Sequence, residues 1–467
     1  MHRWIAWQEI LTDLQKSALL AAALGTFFIG TTAADDTEIY FSTESHPPNV
    51  MFIVDVSGSM DKTDDTGLPD IADNVLWLDA NDTSTLIDGN GNPLGSADTY
   101  GGPITQWRDK SGQNNHLTGT SATLGSMNER ITVRFTDDIM QGPDVFGGTM
   151  DEATIFAVLR ENSSSDNFFL SFNGSDTDKN SRVSFHTPWS KNGFWYWDAG
   201  NSGNQRSIIK DTQIDVGAIT QLTAYKTVAG NENGISLNNS VVEAIDSGAI
   251  ASATSGGVYI GHNTKDHELA ELIVYDRYLS DDEITQVQNY LDQKWRTRLD
   301  RLKEALTTLI ESADRFNAGL ISYTTREAEF RLLNEINPVA ESKGSLIENI
   351  NATTARGGTP TQSALFEGMR YFRGEPPIEM SGISSSGPPA VEQCQSNHIV
   401  LLTDGNPSGG SASSSWPAIG NYIDSNCAND AGNNRNNGNC GIELAQYMKD
   451  NDHYPGVRGV DLSLIHI

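Results

Sequence analysis

Side chains that carry oxygen donors are concentrated in three distant segments of this chain. Residues 55–59, Asp-Val-Ser-Gly-Ser, directly follow an apolar run at 50–54 that is typical of a buried strand. Residues 357–361, Gly-Gly-Thr-Pro-Thr, precede an amphipathic run, and the apolar strand at 399–402 leads to a second acid. The candidate metal ligands are three hydroxyls and two carboxylates: Asp55, Ser57, Ser59, Thr359 and Asp404. Such hard donors favour Mg²⁺, with Mn²⁺ or Ca²⁺ as alternatives, over metals that prefer thiolates.

The elements around these segments predict how the donors come together. Strands at 50–54, 318–323 and 398–403 alternate with helices at 298–310, 362–372 and 442–449, and a further helix begins near Ser345. This alternation predicts a doubly wound α/β fold whose mostly parallel sheet is covered on both faces. Ligands of such sheets lie at the carboxyl ends of the strands, which is where the three segments fall.

A different texture interrupts this pattern between residues 71 and 295. Short alternating runs are separated by Gly, Asn, Asp and Ser at close intervals, which predicts an all-β jellyroll sandwich. The insert ends in a strand at 271–279 and a helix that opens with a capping box, Ser280 to Glu283. Its two ends leave from and return to the host near the first oxygen-rich loop, so we expect the sandwich to lie at the rim of the metal face.

These motifs carry two family resemblances. The three oxygen-rich segments resemble the metal-ion-dependent adhesion site of a von Willebrand factor type A domain, with segments at 46–67 and 298–461. The insert at 71–295 is similar to the laminin-G-like, concanavalin A-like jellyrolls. Together with the leader at 35–41, the combination resembles type IV pilus tip-associated adhesins of the PilY type.

The resemblance implies a role for each donor and for the protein. The counterparts of Ser57, Ser59 and Thr359 bind the cation directly in the family, and those of Asp55 and Asp404 act mostly through water. One position stays open for a carboxylate of a protein ligand. The implied function is that of an exported, metal-dependent adhesin with surface proteins, glycans or minor pilins as partners. The alternative is a carbohydrate-binding jellyroll protein whose A domain is only structural and which has no link to pili.

Charge and the amino terminus bear on location. A formal net charge of -30 argues against nucleic acid as a partner, because phosphates would be repelled. Residues 1–34 contain Lys16, a short apolar stretch and small residues before Asp35, which predicts a secretory signal peptide rather than a membrane anchor. No later segment is predicted to span a bilayer. We therefore expect export, to the surface or pilus tip of a Gram-negative bacterium or into the medium.

The late part of the chain raises two further expectations. In an exported protein, Cys394, Cys427 and Cys440 are disulfide candidates; Cys427 with Cys440 is the preferred pair, and pairings with Cys394 stay open. Residues 462–467 match the translation of a sequencing adapter, which indicates an artefact at the end of a truncated reading frame. The alternative for these residues is a genuine apolar strand.

Other candidates have a simpler structural explanation. The loop Asp88-Gly89-Asn90-Gly91-Asn92 has the spacing of a calcium loop but lacks its later ligands, which favours a solvated turn. The aromatic run at 194–197 could stack on sugars, but alternation assigns at least half of it to the core. Glu268 and Glu271 lack the spacing of a glycosidase pair, and the histidines show no zinc pattern. We therefore expect no enzymatic activity.

Overall fold

A computed structural model describes much of the chain. The described residues are 46–64, 66–95, 101–163, 168–173, 183–186, 195–200, 206–209, 216–238, 250–261, 266–313, 315–325, 330–378, 380–381, 395–404, 419–423, 441–451 and 462–466. Residues Pro47–Ile467 form one compact unit. The predicted signal peptide and the disulfide candidates Cys394, Cys427 and Cys440 lie outside the described residues.

Strands make up most of the regular structure. In chain order they are β1 Asn49–Asp55, β2 Asn74–Asp79, β3 Leu86–Asp88, β4 Ile104–Trp107, β5 Leu117–Met127, β6 Arg130–Phe135, β7 Met140–Gln141, β8 Thr149–Met150, β9 Glu152–Glu161, β10 Phe168–Ser171, β11 Val183–His186, β12 Trp195–Ala199, β13 Arg206–Ile209, β14 Ile219–Thr227, β15 Glu232–Leu237, β16 Ala253–Thr254, β17 Tyr259–Ile260, β18 His267–Tyr275, β19 Asn317–Tyr323, β20 Arg331–Pro338, β21 Asn397–Leu402 and β22 Leu462–His466. They form sheets of 15, five and two strands.

Five helices accompany the strands among the described residues. They are α1 Asp281–Trp295, α2 Arg298–Ser312, α3 Val339–Ala352, α4 Thr361–Phe372 and α5 Gly441–Asp450. The capping box predicted at Ser280 and Glu283 is confirmed, and Thr297 with Asp300 forms a second one at the start of α2. Helix α3 begins at Val339 rather than near Ser345, because Pro338 ends β20 and opens the helix directly. No helix in the described ranges has the length and apolarity needed to cross a membrane.

The five-stranded sheet has the order β20-β19-β1-β21-β22. Strand β1 lies between β19 and β21 and runs parallel to both, whereas β20 is antiparallel to β19. Alternate residues of β1 face opposite sides: Phe52 and Val54 pack with α2 and α3, and Met51 and Ile53 pack with α4. The carboxyl ends of β1 and β21 therefore lie side by side at one edge, where Asp55 and Asp404 follow.

The class predicted for the chain, a doubly wound α/β fold carrying an insert, is wrong. Most described residues in regular structure are in strands, and the largest sheet is the 15-stranded one, whose pairings are antiparallel throughout. The prediction rested on the alternation of strands with helices in the two outer segments of the chain. The long stretch between them contributes far more strands, because its alternating apolar residues bury one another in the largest hydrophobic core.

The antiparallel part, residues 74–275 with α1, is referred to below as the β domain. Its central strands follow the order β5-β6-β18-β9-β14-β15, and β2 also pairs with β18. Strand β18 is buried along its whole length. Trp195, Tyr196 and Trp197 of β12 are all buried, which agrees with the assignment of at least half of this run to the core; β12 is covered on both faces.

Residues 462–466 form β22, which pairs in parallel with β21 at the edge of the five-stranded sheet. This placement corresponds to the alternative of a genuine strand for the segment that matches an adapter. An apolar hexapeptide readily adds to an exposed strand edge, since the edge offers unpaired backbone groups.

Candidate cation site

The first predicted loop turns sharply after β1. The backbone N–H of Ser57 donates to Oδ1 of Asp55 at 2.8 Å, and a short 3-10 turn follows at Gly58–Asp61. Asp55 and Ser57 are both buried, at 0% and 1% exposure. The side chains of this loop therefore face the interior of the sheet edge rather than solvent.

The loop that follows β21 meets the loop that follows β1 across the edge of the sheet. Ser59 Oγ donates to Asp404 Oδ1 at 2.9 Å, and the Ser57 and Ser59 hydroxyls lie 2.9 Å apart. Thr403 Oγ1 donates to the other oxygen of Asp55, Oδ2, at 2.7 Å. Four of the five predicted ligands, together with Thr403, form one continuous group of oxygens. We call this group, Asp55, Ser57, Ser59, Thr403 and Asp404, the oxygen cluster.

The predicted loop at residues 357–361 lies against the loop that follows β1. The N–H of Gly58 donates to the carbonyl of Gly357 at 2.9 Å, and a Cβ at Gly58 would stand 3.3 Å from that oxygen. Gly357 has a φ of 81°, which a residue with a side chain adopts only at a cost. Thr359 follows two residues later and is buried. The hydrogen bond between Gly58 and Gly357 brings the loop that contains Thr359 against the loop after β1, and Thr359 stays a predicted ligand on that basis.

Burial makes the charged form of the carboxylates in the oxygen cluster less favourable. It raises the pKa of Asp55; hydrogen bonds from Ser57 and Thr403 oppose the rise, and the nearby Asp404 carboxylate adds to it. No group of three or more His, Cys, Asp or Glu side chains with metal-binding geometry occurs in the described part of the chain. The cluster combines two carboxylates with hydroxyls, a donor set that fits Mg²⁺, Mn²⁺ or Ca²⁺.

An arginine that sequence reasoning missed contacts the cluster. Arg298 Nη1 donates to Asp404 Oδ2 at 2.7 Å, and Nη2 of the same side chain contacts Asp64 Oδ1 at 2.6 Å. The hydrogen bonds to Asp64 raise the pKa of Arg298, so it stays charged. Thr403 could have been found from the sequence because it adjoins Asp404, whereas no local signal connects Arg298 with a residue 106 positions away.

The β domain contains a second candidate site, which the sequence did not indicate. An open groove of about 420 Å³ is lined by His116, Thr118, Gln141, Gly142, Pro143, Gly257 and Tyr259. Its walls come from β5, β7 and β17 and the turns beside them. His116 Nδ1 accepts a hydrogen bond from the N–H of Asp109 at 3.1 Å, which leaves Nε2–H as the ring's donor. The groove thus offers an aromatic ring beside amide and imidazole groups.

The other sequence candidates have structural partners. Asp88 Oδ1 accepts from the backbone of Asn90 and Asn92 at 2.9 and 2.8 Å, which is the geometry of a closed turn. Glu268 pairs with Arg160 at 2.6 Å. Glu271 is fully buried and bonds to residues of α1.

Comparisons with known proteins add little to this geometry. No protein-family model matches the chain, and no curated protein matches it. Among solved structures, the receptor binding domain of botulinum neurotoxin C/D mosaic serotype is similar at 11% identity and a TM-score of 0.34, over 46% of this chain and 51% of that one. A GH54 α-L-arabinofuranosidase is similar at 13% identity and a TM-score of 0.35, over 47% and 62%. Likenesses this weak carry no argument about function.

Proposed function

We propose that this protein binds a divalent cation at the oxygen cluster and uses it to capture a carboxylate of a partner protein. One observation carries the proposal: residues 345 positions apart, Ser59 and Asp404, are joined by a hydrogen bond at 2.9 Å within a group of five oxygen-bearing side chains. Two carboxylates crowded at a buried edge gain stability from a positive ion.

The chain's own residues have distinct parts in this function. Asp55 and Asp404 supply the negative charge, and the Ser57 and Ser59 hydroxyls supply neutral donors between them. Thr403 orients Asp55 by its hydrogen bond to Oδ2. When bound, the cation would supply an electrophilic position for a partner's carboxylate. The hydroxyl donors add no charge, and a coordination position that the protein's own side chains leave unfilled on a hard divalent ion suits a carboxylate oxygen of a partner.

The biological setting is a further part of the proposal. The resemblance of the loops to pilus tip-associated adhesins supports an exported adhesin that acts at the surface or pilus tip of a Gram-negative bacterium. The formal net charge of -30 suits a protein whose contacts with acidic partners depend on a bridging cation. Minor pilins and acidic surface proteins are the proposed partners.

Titration calorimetry with Mg²⁺, Mn²⁺ and Ca²⁺ tests the cation site. We expect saturable binding by the protein and loss of at least about 100-fold in affinity in the double variant Asp55→Ala, Ser57→Ala, because one carboxylate and one hydroxyl ligand disappear. Thermal unfolding without cation establishes that the variant folds. The matched control is Asp88→Ala, which removes a carboxylate from a turn remote in sequence from the cluster loops.

The absence of saturable binding by the unaltered protein for all three cations would refute the proposed function. Equal affinity in the double variant would mean that the cation binds elsewhere. A loss of affinity in Asp88→Ala would then place the cation at the turn of residues 88–92.

A second candidate function rests on the groove of the β domain. We propose that it binds a glycan, since Tyr259 offers a ring face and His116 and Gln141 offer hydrogen-bonding groups at the scale of one or two sugar residues. The buried state of Trp195 and Trp197 directs this proposal away from the aromatic run at 194–197.

Binding to a panel of immobilised oligosaccharides tests the groove. We expect retention that persists in EDTA and that falls by about tenfold or more in Tyr259→Ala, since a stacking ring contributes on the order of 1.5 kcal/mol. The matched control is Tyr278→Ala, which removes a partly buried tyrosine that packs on Tyr225 instead. Glycan binding that survives Tyr259→Ala unchanged would rule out the groove.

A further inference from the structure

The β domain joins the five-stranded sheet through two chain crossings that lie side by side. Residues 62–64 lead out of the first oxygen-rich loop, and residues 293–301 lead back; we call these two segments the neck. The N–H of Asp64 donates to the carbonyl of Gln293 at 2.7 Å, and the N–H of Arg298 donates to the carbonyl of Lys62 at 3.0 Å. The crossings are thus paired by backbone hydrogen bonds in both directions.

A charged group completes the neck. Asp64 accepts from Arg298 Nη2 and from Arg301 Nη2, each at 2.6 Å. These bonds lower the pKa of Asp64, with the Arg298 hydrogen bond as the largest cause, so the carboxylate stays ionised. Arg301 donates to Asp64, whereas Arg298 reaches beyond the neck to Asp404 as well.

Both oxygens of Asp404 are engaged by this arrangement. Oδ1 accepts from Ser59 at 2.9 Å and Oδ2 from Arg298 at 2.7 Å, and the Asp404 side chain is only 8% exposed. Arg298 therefore supplies one positive charge to a cluster that contains two carboxylates. A divalent cation at the same carboxylates would be repelled by the guanidinium and would compete with it for Asp404.

We propose that Arg298 is a built-in competitor of the cation and couples the oxygen cluster to the neck. This inference rests on the proposed cation site and adds its regulation. Arg298 holds Asp404 in the cation-free protein, and a cation that binds must displace this contact. By linkage, whatever strengthens the contact between Arg298 and Asp404 weakens cation affinity, and a bound cation loosens the tie between the cluster and the neck by the same free energy.

The test compares cation affinity in Arg298→Gln, Arg298→Lys and Arg301→Gln by calorimetry with Mg²⁺, Mn²⁺ and Ca²⁺. We expect Arg298→Gln to bind the cation about tenfold more tightly than the unaltered protein, since one charge-assisted hydrogen bond no longer opposes binding. Arg298→Lys, which keeps the charge but loses the bidentate fork, is expected to fall between them. Arg301→Gln is the matched control, because it removes an arginine from Asp64 without touching Asp404, and its affinity is expected to stay within about twofold.

The outcomes separate this inference from the function on which it rests. Binding by the unaltered protein and by Arg298→Gln with equal affinity would overturn the role of Arg298 and leave the cation site standing. A tenfold gain over the unaltered protein would support both. Binding by Arg298→Gln alone would support the competition by Arg298 but refute the proposed function of the unaltered protein. Binding by neither would overturn the cation site and the inference together, provided that thermal unfolding shows Arg298→Gln to be folded. If it does not fold, a gain in Arg298→Lys supports the inference and equal affinity overturns it.

Discussion

Replacement of Glu271 by Ala is expected to lower the free energy of unfolding by about 3–5 kcal/mol, among the largest effects that one side chain of the β domain can have. The Trp77 Nε1–H and the Tyr290 hydroxyl donate to Oε1 at 2.8 and 2.7 Å. The Trp295 Nε1–H and Lys294 contact Oε2 at 2.7 and 2.8 Å. Three indole and hydroxyl donors, of which those of Tyr290 and Trp295 are buried, would lose this acceptor at once, and each unsatisfied group carries its own desolvation penalty. Lys294 would keep its contacts with Asp79 at 2.9 Å and with the Tyr290 hydroxyl at 2.8 Å.

The position of Glu271 makes this network a support for the whole neck. Glu271 lies on β18, whereas Tyr290, Lys294 and Trp295 lie on α1, whose last residues belong to the neck. Burial raises the pKa of Glu271, and Lys294 opposes that rise. The carboxylate thus fixes the helix to the sheet at the point where the chain leaves the β domain.

Chemical denaturation checks this prediction. The double variant Glu271→Leu, Lys294→Met is the informative comparison, because it removes both buried charges and should recover at least half of the lost stability. Asp79 still has Lys110 at 3.0 Å in that variant. A loss below about 1 kcal/mol in Glu271→Ala would show that water replaces the carboxylate without penalty.

Gly261→Ala is expected to lower the free energy of unfolding by about 2–5 kcal/mol, from two independent causes. Gly261 has a φ of 91°, in the left-handed region where an L side chain is strained. A Cβ there would overlap the carbonyl oxygen of Asp138 and stand 2.9 Å from Phe135 Cδ1. Backbone cannot give way as a flexible side chain can, so β17 must shift, and Tyr259 of the groove lies on that strand.

The free energy of unfolding of Gly112→Ala separates the cost of the backbone conformation from the cost of the steric overlap. Gly112 has a φ of 88°, but nothing lies within 4 Å of its Cβ position. It should therefore show only the backbone cost of about 1 kcal/mol. Urea denaturation gives the free energy of unfolding of both variants. Equal losses in Gly112→Ala and Gly261→Ala would mean that the contact with Asp138 is relieved at no cost. If Gly261→Ala also weakens glycan retention, the groove depends on β17 as proposed.

The sequence alone named four of the five residues that the structure brings together in the oxygen cluster. Asp55 and Asp404 each follow an apolar strand, and parallel strands of one sheet bring their carboxyl ends to a common edge. The capping box at Ser280 was equally accessible, because it depends on residues three positions apart. Such features are local, and short stretches of sequence determine them.

The fold class and the partners of the cluster were decided by tertiary structure. The sequence predicts the strands of the insert, but their assembly into a 15-stranded sheet, which makes the protein mostly β, depends on pairings between distant strands. Alternation assigned at least half of the aromatic run at 194–197 to the core and left open whether the other face is covered; the structure buries Trp195, Tyr196 and Trp197 alike. A periodic pattern shows that a strand has two faces, but it does not show whether neighbouring elements cover one face or both.

What the sequence determined by itself is therefore the set of donors and the strands that deliver them. Only the tertiary structure brought Arg298 to Asp404 and the donor Trp77 to Glu271, across 106 and 194 residues of chain. A charged side chain in a segment that is predicted to be buried is expected to have a partner, because burying it alone is costly. Which partner it receives depends on how distant segments pack: the neck and the loop after β21 in the case of Arg298, and strands β2 and β18 in the case of Trp77.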